Sequence, residues 1–174
     1  VQTSYPRFGP ADLTTIEGVM EGVPHDAFSG WVWNTRNPEA ELAVEIVGPG
    51  FYARILANNH RYDLAEAGKR GGNCWFKMLV PAGMSEEAQA ETGALLAGTS
   101  HRLRSAAEAS RTVDSNWLDT QPLKLQLAVN AQRIRFGLGL PPLSEDHIEG
   151  IVEAADQDGF DLSQLVEHVE RLSG

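Results

Sequence analysis

Two tryptophans two residues apart, Trp31 and Trp33 in SGWVWN, are the residues whose type and spacing point most directly to a function. Alternate side chains of an extended strand share a face, so the two indoles lie on the same side. That face is either a buried core or a flat platform on which a pyranose ring stacks. The other chemistry-bearing residues are scattered. The five histidines (His25, His60, His101, His147 and His168) form no HxH or i, i+4 pair. A zinc site would have to be assembled from distant strands, and no metal is expected. Cys74 is the only cysteine, which excludes an intramolecular disulfide and any CxxC motif. Among the alternating apolar residues of NCWFKMLV it reads as a small buried hydrophobe.

Motifs with a defined mechanism are missing or incomplete. EAGKRGGN has Gly and Lys without the GxxxxGK[ST] order that wraps a phosphate, and neither GxSxG nor HExxH occurs. In AADQDGFDLSQL, Gly159 at the glycine position of a calcium loop puts Asp156 and Asp158 at positions three and five. Ala154 then stands first and Leu165 last, so the bidentate Glu is lacking. The better reading is a helix, an Asp-Gly turn and an Asp161 cap. No catalytic residue and no cofactor is expected.

The formal net charge is -10 and unevenly spread: nine Lys/Arg against twelve Asp/Glu in residues 1–104, five against twelve in 105–174. An acidic surface without a basic stripe repels phosphate backbones, so nucleic acid is excluded as a partner. Apolar runs of a handful of residues fall far short of the roughly 20 that a membrane span needs. VQTSYPRFGPADL has no basic start followed by an apolar stretch, so the chain carries no visible signal peptide. The expected setting is cytoplasmic or cell-surface associated.

The elements that must position these residues fall into two groups. Strands are expected at 14–22, 29–34, 41–47, 51–57, 73–80 and 100–104, divided by Gly-Val-Pro, Asn-Pro, Gly-Pro-Gly and Gly-Gly turns. In ELAVEIV, Leu42, Val44 and Ile46 face a core while Glu41, Ala43 and Glu45 face water. A short helix begins near Asp63 and stops at Gly68. From about residue 116 the period becomes helical. Leu123, Leu127, Ile134 and Leu138 mark one helix, ended by Gly137, Gly139 and Pro141. Ser144 caps a second, with Ile148, Ile151, Val152 and Ala155 on its apolar face. Asp161 caps a third, with Leu162, Leu165, Val166, Val169 and Leu172 inward. The fold class is therefore α+β by segregation. An antiparallel β-sandwich (1–104) leads through a linker (105–115) to a three-helix domain (116–174).

The run Gly30, Trp31, Trp33, Asn37, Pro38, then Ala57, Arg61, Asp63, Leu64, Ala67, Gly68, then Phe76 and Pro81, resembles an accessory β module of bacterial glycosyltransferases and other cell-surface polysaccharide proteins. ETGALLAGTSHRLR (91–104) is similar to the closing strands of such modules, so the resemblance covers residues 14–104. Asn34 stands where an Asp is more usual, and Tyr62 where a Pro is expected. The run from Arg133 to Val169 is similar to an uncharacterised helical C-terminal domain of large bacterial surface proteins. Those proteins often carry a cytochrome-type domain, but without CxxCH no haem attachment carries over.

The resemblance implies a non-catalytic module that binds or positions glycan at a bacterial surface, its helices docking a protein partner or a second copy. The alternative is a structural subunit of a larger assembly such as a virion or surface layer. Recurrence of the motif in hosts of differing chemistry implies a scaffold role for Trp33 and for Arg61 with Asp63, an ion pair or cap pinning the short helix to the sheet. The tryptophans are accordingly placed in the core. On the platform reading, Trp31 and Trp33 are joined on one ligand-binding surface by Tyr52, Tyr62 and Trp75.

Overall fold

A computed structural model of the chain describes residues 15–22, 26–105, 113–114 and 116–158. Among the described residues it contains two antiparallel sheets and four α-helices, an α+β architecture. The smaller sheet has the order β1 (Ile16–Gly22), β2 (Ala27–Asn34), β5 (Trp75–Leu79). The larger has the order β4 (Phe51–Ala57), β3 (Leu42–Gly48), β6 (Gly93–Leu96), β7 (Arg102–Leu103), β8 (Val113–Asp114). Segment 105–115, read above as a linker, thus contributes β8 to the larger sheet.

Both sheets feed one apolar core. Ile16, Met20, Phe28, Val32 and Phe76 come from the smaller sheet, and Leu42, Val44, Ile46, Ala57, Ala94, Leu96 and Leu103 from the larger. The alternation of Leu42, Val44 and Ile46 thus meets the inward side of β3, as its period requires. Isolated bridges link the sheets: Met20 pairs with Ser105 in parallel, and Asn59 pairs with Trp75 antiparallel. Between β3 and β4 the chain turns in two residues, Pro49-Gly50, where a φ of 62° at Gly50 suits glycine.

The first two helices are short insertions between strands. Helix α1 (Tyr62–Glu66) lies where the Asp63 signal placed it and leads through Gly68, at φ 74°, to a 3₁₀ turn at Arg70–Gly72. Helix α2 (Glu86–Glu91) falls in MSEEAQAETG, and its N-cap Ser85 accepts a bond from the Ala88 amide at 3.1 Å.

Helix α3 (Leu123–Gly137) buries two faces. Val129 and the partly buried Leu125 pack with Val47, Tyr52 and Leu95 on the outer side of the larger sheet. Leu127 and Ala131 pack with Leu143, Ile148, Ile151 and Ala155, the last three from α4 (Glu145–Asp158). The single stripe expected from Leu123 to Leu138 is therefore corrected. Leu123 is 56% and Leu138 47% exposed, because a helix held between a sheet and a second helix needs two narrow apolar stripes, not one.

Gly139, at φ 70°, ends α3. Its amide bonds the Phe136 carbonyl and the Leu140 amide the Arg135 carbonyl, both at 3.0 Å, the paired closure of a Schellman motif. Ser144 caps α4 as expected, its Oγ accepting from the His147 amide at 3.3 Å. The third helix expected from Asp161 lies outside the described residues. Among the described residues, no helix is long and apolar enough to cross a membrane.

Candidate functional site

Strand β2 fixes the side on which the tryptophans stand. Phe28, Gly30 and Val32 turn inward, and the Phe76 ring lies over Gly30 so closely that an added Cβ would sit 2.5 Å from Cζ. The opposite parity puts Trp31 and Trp33 on the outer face, where both are half-buried and outside the core cluster. The placement in the core is thereby corrected. Period-two alternation assigns the two indoles to one face, but Val32 with its inward neighbours, not the larger aromatics, fills the core.

On that outer face Trp31 is flanked by Val19 on β1 and by Trp75 on β5, its directly paired residues. Cations lie over the indoles. Lys69 Nζ is 4.6 Å from the Trp31 ring centre; Arg61 Cζ and Lys77 Nζ are 5.8 and 5.7 Å from that of Trp75. The field of each ring favours a cation over its face. The lysine and arginine are held by carboxylates of β1: Lys69 pairs with Glu17, and Arg61 donates to Glu21 at 2.6 and 3.0 Å. Arg61 also bonds both oxygens of Asp63, at 2.6 and 2.9 Å. These bonds raise the guanidinium pKa further, Glu21 contributing most, and hold the Asp63 carboxyl below the usual carboxylate range. Tyr62, beside Arg61, is 70% exposed.

Beyond Trp33 the face opens into a shallow cleft of about 740 Å³. Trp33 and Pro38 are its apolar lining, and Thr35, Glu39, Glu41, Asn58, Arg70 and Asn73 its polar lining. Two local devices build its walls. Asn34 Oδ1 accepts from the Arg36 and Asn37 amides at 3.0 and 3.3 Å, folding the turn that leads to Pro38. Arg70, at φ 49°, donates Nε to the Pro38 carbonyl at 2.6 Å and its other nitrogens to the carbonyls of Asn73 and Glu39. Its guanidinium therefore staples the two walls together. Indole Nε1 of Trp33 and of Trp75 is buried without a hydrogen-bond partner. Aromatic, amide, hydroxyl and carboxylate groups thus line one open groove.

Tyr52 lies elsewhere. It is 3% exposed, under α3 on the larger sheet, and its hydroxyl donates to Glu45. Burial, then the Glu45 charge, pushes its pKa well above the ordinary phenol value. The structure thus brings Trp31, Trp33 and Trp75 together, sets Tyr62 at the surface nearby, and places Tyr52 on the other sheet.

Glu45 was assigned to water from the alternation of β3, and this too is corrected, since it is fully buried. Arg133 of α3 grips both of its oxygens at 2.8 Å and also bonds the Thr99 carbonyl. The Gly98 amide donates at 2.8 Å, and Arg54 stands 3.5 Å away. Burial, then the Arg133 charge, lowers the Arg54 pKa to about 10. The outer residues Val47, Tyr52 and Leu95 are apolar or amphipathic, and that was the available signal that this side of the sheet is covered.

Cys74 is buried, and burial raises its thiol pKa to about 11, so it stays a protonated hydrophobe. His101 is buried and accepts from the Asn116 amide at 3.1 Å, while His147 lies 3.0 Å from the Ser144 hydroxyl. His60 is exposed; His25 and His168 lie outside the described residues. Among the described residues, no group of three or more His, Cys, Asp or Glu is placed to hold a metal ion. Compared with family models, with curated proteins and with solved structures, the chain finds no match.

Proposed function

We propose that this chain is a non-catalytic module that binds or positions glycan at a bacterial surface. In this reading the two sheets form a sandwich. The three-stranded face meets the saccharide, and the five-stranded face carries the helices that dock a protein partner. The observation that supports it best is the outward aromatic row of Trp31, Trp33 and Trp75 ending in the polar cleft beside Trp33. Exposed Leu123, at the start of α3, and Leu138, just past its end, support the docking role.

One indole–sugar contact contributes about 0.5–1.5 kcal/mol by analogy with aromatic packing, so single sites are weak and repeated ones add. A glycan array of capsule and exopolysaccharide fragments, probed with the full chain displayed multivalently, tests the proposal. Selective capture is expected, reduced roughly three- to tenfold by Trp33→Ala, the equivalent of the stacking contribution. Silence across the array, with the fold verified by circular dichroism, would overturn it.

A further inference from the structure

Three strand glycines have a neighbour where their side chain would be. A Cβ on Gly18 would stand 2.5 Å from the Trp31 carbonyl oxygen, one on Gly30 2.2 Å from that of Val19, and one on Gly48 2.3 Å from the Thr92 hydroxyl. Gly93, the first residue of β6, is different: nothing lies within 4 Å of its added Cβ. Its φ lies outside the left-handed region, so the end of α2 does not need a glycine here. The register of β3 with β6 runs through it without a shift, so it marks no bulge. Glycine weakens a strand, and the reasons that remain for it are the close approach of a backbone or of a ligand. No backbone approaches Gly93.

Gly93 pairs with Val47, so a side chain there would share the outer face of the larger sheet with Val47 and Leu95. Trp117 and Leu125 pack over that face from the helical part. Between them lies a cavity of about 340 Å³ with Gly93 in its lining. Its polar side chains are used within the chain. The Thr92 hydroxyl donates to the Ala88 carbonyl at 2.7 Å, and the Gln121 amide to the Trp117 carbonyl at 3.2 Å. Arg102 Cζ lies 5.4 Å from the Trp117 ring centre. One carboxylate, Glu91, and one guanidinium, Arg102, favour neither sign of charge. A ligand therefore meets mainly apolar surface and an indole. An engineered apolar cavity of about 150 Å³ takes benzene, and small-molecule sites begin at roughly 300 Å³. This cavity has room for two fused rings.

We infer that it is a binding site for a small, uncharged, two-ring aromatic molecule, seated over Gly93 among Leu95, Leu125 and Trp117. The site lies on the other sheet from the tryptophan cleft and is independent of the glycan reading.

The test is a methyl-resolved NMR titration of the full chain at about pH 7 with 2-naphthol, which stays a neutral phenol there. Naphthalene-2-carboxylate and 2-naphthylmethylammonium serve as its charged counterparts. Saturable shifts of the Val47, Leu95 and Leu125 methyls are expected with naphthol, with binding at least tenfold weaker for either ion. Gly93→Leu, which puts an isobutyl group into the cavity, is expected to weaken naphthol binding tenfold or more with the fold kept by circular dichroism. Should that variant not fold, Gly93→Ala, whose methyl has clear space, is expected to weaken it about threefold. Absence of saturable shifts up to the solubility limit, shifts centred on other methyls, an ion bound as tightly as naphthol, or an affinity untouched by the glycine substitution overturns the inference.

Discussion

Arg61 holds three groups at once: Glu21 on β1, Asp63 on α1, and the face of Trp75 on β5. One guanidinium thereby ties the short helix to two strands, a use of five planar donors that lysine cannot reproduce. Asp63 is the exposed member, and its carboxyl is held below the usual range chiefly by the hydrogen bonds from Arg61. The depressed value sets the sign of its pH dependence. Its contribution is complete above the unfolded carboxylate value of about 3.9 and drains away as pH falls through the folded value. The stability gap between the native chain and Asp63→Asn, measured by urea unfolding, is therefore expected to be constant from about pH 5 to 8 and to narrow below about pH 4. A gap that widens on acidification would show that Asp63 is not stabilised in its charged form.

At the scale of elements, β2 depends on a residue with no side chain. A Cβ on Gly30 would stand 2.2 Å from the Val19 carbonyl oxygen as well as against the Phe76 ring. The first of these is backbone and cannot swing aside, so Gly30→Ala is expected to cost on the order of 1–3 kcal/mol in chemical denaturation. Gly93→Ala, where nothing lies within 4 Å of the added methyl, serves as the control. Equal effects at the two positions would refute the close approach of β1, β2 and β5.

The glycine is visible in the sequence, and so are the strands of the smaller sheet, the Ser144 cap and the Ile148–Ile151–Ala155 stripe of α4. Each of these is a local pattern with one physical cause. What local pattern cannot supply is which of two faces is covered by something distant. Alternation put Glu45 opposite Val44 and Trp31 opposite Val32 correctly, yet gave each outer face the wrong environment. Glu45 is covered by a helix that begins beyond residue 120, and the indoles are left out because Phe28, Val32 and Phe76 already fill the space. For the same reason the cleft was only half legible. Trp33 was singled out, but Glu39, Glu41, Asn58 and Asn73 come from three separate loops and acquire meaning only together.

Across the whole molecule, the joint between the larger sheet and the helical part is a buried charge. Glu45 meets Arg133 across 88 positions of sequence, inside a surround of Val47, Tyr52, Leu95 and Val129. Removing one partner of such a pair leaves the other uncompensated and costs about 3–5 kcal/mol. Glu45→Ala is expected to lower stability by that order and to uncouple the two parts. In a Trp117→Phe background, where the remaining indoles Trp31, Trp33 and Trp75 all stand on the smaller sheet, helical circular dichroism should then be lost at lower urea than tryptophan fluorescence. Coincident, unshifted transitions in the variant would mean that the helices hold their place by apolar packing alone.

The same long span has a consequence for biosynthesis. A ribosome delivers β3, β4 and β6 well before α3, at roughly 5–20 residues per second. For several seconds the nascent sheet therefore shows water a carboxylate with Arg54 of β4 beside it, ringed by Val47, Tyr52 and Leu95. Those charges keep that greasy surface wet until Arg133 arrives with α3, and only then is it sealed.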